Sequence, residues 1–112
     1  MKVTVRHRDS VSILDLKGKI TIGVGDVAVR QAVADALTAG ARNILLNLQG
    51  VTTIDSSGVG ELVSSYTTVT NRGGKLKLFN LPAKVADILQ VTQLITVFDV
   101  FDDEDEAVAS FS

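Results

Sequence analysis

The hydrophobic patterning of this 112-residue chain predicts a single α/β domain. Its sheet is expected to be mixed and four- to five-stranded, with a first antiparallel hairpin, the remainder partly parallel, and helices mainly on one face. Three observations carry that prediction. Two strand-like segments at the N-terminus are separated only by a short turn, which suits a hairpin. After residue 25 helical and strand spacings alternate, which implies parallel strands joined by helices. The length favours one domain and leaves too little chain for two full helical layers.

Val3, Val5 and His7 alternate with Thr4 and Arg6 as a strand, and "RDS" turns the chain. Val11, Ile13, Leu14 and Leu16 suggest a second strand up to Gly18. The glycine-punctuated "GKITIGVGD" reads as a loop, with Asp26 as the expected N-cap of the next helix. Val29, Val33, Ala36 and Leu37 share one helical face, and Gly40 stops the helix. "NILLNL", residues 43–48, is continuously apolar, as a strand covered on both faces would be. "QGVTTI" reads as a loop into Asp55. Val59, Leu62, Val63 and Tyr66 then keep helical spacing as far as Gly73-Gly74. "KLKLFNL", residues 75–81, alternates as a strand, and Pro82 suits the first turn of a further helix. "TVFDVF" reads as a short strand or extended segment, and "DDEDEAVASF" as a small closing helix with an acidic first turn.

Composition excludes several classes. The net charge is −2, so nothing points to direct nucleic-acid binding. There is no cysteine, which removes disulfides, thiolate metal sites and cysteine catalysis and fits a cytoplasmic setting. No apolar run reaches the roughly 18 residues of a membrane span.

Candidate chemistries thin out quickly. A serine hydrolase needs G-x-S-x-G, and Ser56 and Ser57 lack the first glycine. The single histidine, His7, alternates like an ordinary strand residue. Gly23-Val24-Gly25-Asp26-Val27-Ala28 matches G-x-G-x-x-A, but Asn47, Leu48 and Gln49 stand where a ribose-binding acid belongs. Asp102–Glu106 lacks the ligand spacing and glycine of a calcium loop, and reads as an acidic turn complementing a helix dipole. No catalytic residue, metal site or cofactor is expected.

"IDSSGVG", residues 54–60, remains. Aspartate and serine are strong N-cap residues, so one of Asp55, Ser56 and Ser57 should cap the helix. Gly58 and Gly60 each cost about 1 kcal/mol in a helix against alanine. Two in one first turn suggest an end kept open for a partner. A hydroxyl there, if phosphorylated, gains about −1.5 to −2 charge, tolerable at a helix N-terminus but not inside a docked interface.

"VTTIDSSGVGEL", with the element order before it and "NRGGKLKLFNLPAKVADIL" after it, resembles the STAS domain of bacterial anti-sigma factor antagonists. The likeness spans nearly the whole chain, so residues 1–112 are expected to form one such domain. The resemblance implies a phosphorylation-switched binding module. Unmodified, it would bind an anti-sigma factor that is also a serine kinase and so free a sigma factor. Phosphorylated by that kinase, it would let go, and a PP2C-type phosphatase would reset it. The phosphorylated residue would be Ser56, with Ser57 second. Asp55, Ser56, Ser57, Gly58, Val59, Gly60 and Glu61 would meet the partner, with Thr21 and Asp26 nearby. The family usually carries G-E-[IL]-D after its second strand. Here Gly18-Lys19-Ile20-Thr21 loses both acids, Lys19 reverses a charge, and Asp26 stands as a shifted acid. The family also includes unphosphorylated scaffolds in stress-signalling and lipid-transport complexes, the alternative reading.

Overall fold

A tight reversal at Asp9 and Ser10, with Asp9 in the left-handed region at φ 53°, folds the N-terminal strand back onto the second. Aspartate accepts that conformation more readily than most residues. The computed structural model describes residues 1–112. Its strands are β1 (Lys2–Arg8), β2 (Val11–Ile20), β3 (Asn43–Ile54), β4 (Lys75–Phe79) and β5 (Val100–Phe101). Its helices are α1 (Gly25–Thr38), α2 (Ser56–Asn71), α3 (Ala83–Val91) and α4 (Glu104–Ala109), with a 3-10 turn at Leu94–Thr96. The strands lie side by side in chain order, β1 antiparallel to β2 and every later pair parallel. Crossovers of one hand that all step in one direction leave their helices on one face. This is why α1, α2 and α3 share a layer, as the patterning predicts.

That layer holds the main core. Leu14, Leu16, Leu46, Leu48, Leu76 and Leu78 point from the sheet into it and are essentially inaccessible. Val29 and Val33 of α1, Leu62 and Val69 of α2, and Leu89 of α3 close it from above. A second, smaller core lies on the reverse face, where Val11, Ile13, Leu45 and Phe79 are covered by Ala107, Val108 and Phe111 at and beyond α4. The unbroken apolar run of β3 follows. Ile44 and Leu46 face α1 to α3, while Leu45 faces α4. Past Leu46 the reverse face is open, and Asn47 there donates to Asp15 at 2.8 Å.

Two stretches expected to be loops are strand. β2 runs through Lys19 to Ile20, and β3 through "QGVTTI" to Ile54, the two pairing in parallel to the last residue, Ile20 with Ile54. Register shifts between Asp15 and Lys17 and between Gly18 and Lys19 hid the period. β4 stops at Phe79, two residues short of the expected end. Pro82 is the N-cap of α3, just outside its first turn.

The acidic closing helix also does more than complement a dipole. Asp103 caps it, accepting from the Glu106 amide at 3.1 Å. Glu104 accepts from Arg6 and from Arg8, each at 2.6 Å, and Asp105 pairs with Arg8 at 2.9 Å. Arg6 also grips Asp15 at 2.6 Å. Lys77, 8% exposed, donates to the Ser110 carbonyl at 2.9 Å and lies 4.8 Å from the Phe111 ring centre. Half-exposed ion pairs contribute no more than about 1 kcal/mol each, so their role is to seat α4 over the reverse core.

The Arg6 hydrogen bond holds the Asp15 carboxyl below the usual carboxylate range, and Arg6 and then Arg8 do the same for Glu104. The folded chain therefore binds fewer protons than the unfolded chain as the medium acidifies. This stabilisation is full above the unfolded carboxylate values near about pH 4 and is lost as pH falls through the depressed folded values. Asp15→Asn with Glu104→Gln should flatten the acid limb of Tm against pH; an unchanged slope would contradict the assignment.

Candidate functional site

The ends of β2 and β3 bring the opening of α1 beside the opening of α2. Asp55 leaves β3 in extended conformation and caps α2, its Oδ1 accepting from the Gly58 amide at 2.9 Å. Its other oxygen, Oδ2, accepts from the Ile22 amide in the β2–α1 connection at 3.0 Å. The Asp55 amide in turn donates to the Ile20 carbonyl at 3.4 Å. One side chain thus ties two connections together. The Gly58 and Ile22 amides hold the Asp55 carboxyl below its ordinary range, so it is a fixed negative charge at this end of the molecule.

With the cap supplied by Asp55, neither serine is needed for it. Ser56, the first residue of α2, is exposed, and Ser57 is half-buried. Of the two hydroxyls, that of Ser56 is the more open to an incoming group.

The two glycines have different jobs. A Cβ on Gly58 would collide with the Ile20 carbonyl oxygen and lie 2.7 Å from Cγ1 of Ile54. Gly58 is therefore the contact that lets α2 start directly on the strand ends, not an opening for a partner. Gly60 has nothing within 4 Å of its would-be Cβ, so the open surface expected here is found at Gly60 alone. Val59 is buried in the main core.

Other expected site residues are also turned inward. Glu61 is 6% exposed and accepts from Arg30 Nε at 2.9 Å and from Ser65 Oγ at 3.0 Å, stitching α1 to α2. Asp26 is 8% exposed and second in α1; Val24 holds the N-cap position, so Asp26 is not the cap. Its Oδ1 accepts from the adjacent Val27 amide at 2.7 Å. Thr21 is half-buried, and its carbonyl accepts from the Asp26 amide at 3.2 Å. Lys19 and Ile20 belong to β2 rather than to a loop, Lys19 being exposed.

Sequence reasoning missed the apolar half of this surface. Ile22, Val24 and Val27 are 72%, 64% and 46% exposed, in the stretch whose Ile22 amide Asp55 holds. The signal was present as two β-branched residues, Ile22 and Val24, within a glycine-rich connection and a third, Val27, in the first turn of α1, where solvent-facing positions are ordinarily polar. Arg30, with 64% of its side chain exposed, was missed because its partner Glu61 is 31 residues away.

A histidine–serine pairing finds no geometry here. His7 pairs in register with Ser12, near the far end of β2 from Ile20. Eight residues of strand at ~3.3 Å each place that imidazole roughly 26 Å from the Ser56 end. No cluster of three or more histidine, aspartate or glutamate side chains is disposed to hold a metal ion. No helix is long and apolar enough to cross a membrane.

The STAS domain family model matches residues 2–107. The chain is 24% identical over 109 residues to the anti-sigma F factor antagonist of Paenibacillus polymyxa, covering 96% of this chain and 92% of the relative. It is 26% identical over 100 residues to the anti-sigma-B factor antagonist of Bacillus subtilis strain 168, covering 89% and 90%. The crystal structure of a candidate anti-sigma factor antagonist from Thermotoga maritima superposes with a TM-score of 0.88 at 25% identity, covering 97% of this chain and 93% of the other.

The contrast between the glycines is directly measurable. Gly58→Ala should destabilise the fold by about 2–3 kcal/mol through overpacking against β2. Gly60→Ala should stabilise it by about 0.5–1 kcal/mol, because an open helical site gains propensity without a clash. Denaturant unfolding of both variants checks the pair; equal effects would contradict the assignment.

Proposed function

Because this chain belongs to the STAS domain family, we propose that it is an anti-sigma factor antagonist, a binding module that captures an anti-sigma factor and is released by phosphorylation of Ser56. The observation that carries this reading is the division of labour at the α2 N-terminus. Asp55 makes the structural bonds, and the adjacent Ser56 hydroxyl is left exposed. A modifying enzyme can take that hydroxyl without breaking a cap.

The docking surface is formed by Ile22, Val24 and Val27 on one side and Ser56 and Gly60 on the other. Exposed apolar groups beside a polar rim have the composition of a protein interface core. Asp55 and Thr21 support this surface from beneath, while Gly58, Val59, Glu61 and Asp26 shape it from within. Ser57, half-buried, is the second candidate for modification.

Phosphorylation adds about −1.5 to −2 charge. The first-turn amides and dipole of α2 tolerate it within the free domain. In a complex the phosphate lies beside the fixed Asp55 carboxylate and against apolar surface, where desolvation and like-charge repulsion disfavour it. The partner is an anti-sigma factor that is itself a serine kinase using ATP, and a PP2C-type phosphatase restores the hydroxyl. The loss of the usual acids at Lys19 and Thr21 alters the charge the kinase meets, and so bears on which kinase is cognate.

Incubation with the cognate kinase and ATP, followed by peptide mass mapping, should place one phosphate on Ser56; no phosphate on Ser56 or Ser57 would contradict the reading. Ser56→Ala should keep partner affinity and resist release, whereas Ser56→Asp should weaken binding by about 1–3 kcal/mol. Ile22→Glu should leave Tm unchanged and weaken the complex by about 2 kcal/mol or more if Ile22 is an interface anchor. Calorimetric titration reads each, and an unaltered affinity for Ile22→Glu would remove the apolar patch from the interface.

A further inference from the structure

At the opposite end of the molecule from Ser56, a groove of about 550 Å³ opens between β1 and the second half of α1. Val3, Val5 and His7 form one wall and Ala32, Ala36 and Ala39 the other. β1 is an edge strand, bonded to β2 on one side and to nothing on the other. Seven residues of backbone therefore offer a free row of amides and carbonyls, with Val5 51% exposed above the groove.

Edge strands are ordinarily protected from pairing by charge, above all by cationic side chains. β1 carries Lys2, Arg6 and Arg8, which at first sight supply that protection. The protection is cancelled within the chain. Arg6 is bound by Asp15 and Glu104, and Arg8 by Glu104 and Asp105. Two arginines thus face three carboxylates, leaving Lys2 as the one cation of β1 without an ion-pair partner.

We propose that the free edge of β1, with the groove beneath it, is the face on which a second copy of this chain docks by antiparallel β1–β1 pairing. The strand is complementary to itself. An antiparallel pair centred on Val5 sets Val5 against its copy, Val3 against His7 and Thr4 against Arg6. The apolar side chains of the second strand then cover the mouth of the groove, which the alanines of α1 leave unfilled. On the other face Lys2 opposes Arg8 of the copy, and Arg8 already holds Asp105. That carboxylate keeps 78% of its side chain exposed, so it can take the second cation. The resulting two-fold contact is closed and continues the sheet across both chains, with main-chain bonds supplying affinity. It leaves the Ser56 surface free on each copy.

Sedimentation equilibrium of the whole chain over a concentration series tests this. The wild type should be a dimer. Val5→Lys, which restores a cation to the edge, should be monomeric with unchanged circular dichroism, while Val91→Lys, at an 83% exposed residue on α3, should remain dimeric. A wild type that is monomeric throughout, or a dimer that survives Val5→Lys, would overturn the proposal. A second measurement does not depend on how well the lysine variant folds. The chain has no cysteine, so Val5→Cys introduces a single thiol. Facing residues of an antiparallel pair have Cβ atoms about 4.5–5.5 Å apart. Mild oxidation should therefore link Val5→Cys chains at least tenfold faster than Val91→Cys chains, and equal rates would contradict the pairing.

Discussion

The carboxylate of Asp55 is the joint on which this end of the molecule depends. One oxygen starts α2 by accepting the Gly58 amide, and the other fixes the β2–α1 connection by accepting the Ile22 amide. Gly58 makes the joint sterically possible, since only a residue without a Cβ can sit against the Ile20 carbonyl. The aspartate and first glycine of D-S-S-G are thus structural partners. The Ser56 side chain between them takes no part in those hydrogen bonds.

Much of the fold was legible because it rests on period and order. The hairpin, the alternation after residue 25 and the position of each crossover helix follow from apolar spacing, which reflects burial on one face or two. The ends of β2 and β3 were not legible. Their register shifts break the two-residue period, and Gly18 and Gly50 resemble loop punctuation when read singly. The site was legible in its motif and less so in its roles. Asp55 as cap and Ser56 as free hydroxyl fit the aspartate–serine pattern. Which glycine packs and which is open depends on the distance to Ile20, a contact 38 residues away. Glu61 reads as surface charge until Arg30 is placed beside it. Asp26 reads as a cap until the helix is found to begin one residue before it, at Gly25.

These details sharpen how a charge added at Ser56 would act. Ser56 is exposed and belongs to neither core, so a charge added there leaves the packing of the fold in place. The surface around it is set up to respond: a carboxylate kept ionised by two amides on one side, three exposed β-branched residues on the other, and an unobstructed helix face at Gly60. Glu61, by contrast, is already neutralised by Arg30 and adds little repulsion. In the proposed switch the added charge therefore acts on the interface rather than on the conformation of the domain.

That claim is tested most directly by comparing amide NMR spectra of the unmodified chain with those of the chain phosphorylated at Ser56. The account predicts shift changes confined to the β2–α1 connection and the first turns of α2, around Ile22 to Val27 and Asp55 to Glu61. Amide exchange in β3 and β4 should be unchanged. Shifts spread through the sheet, or altered protection at Leu46 and Leu78, would contradict it and place the switch in the fold itself.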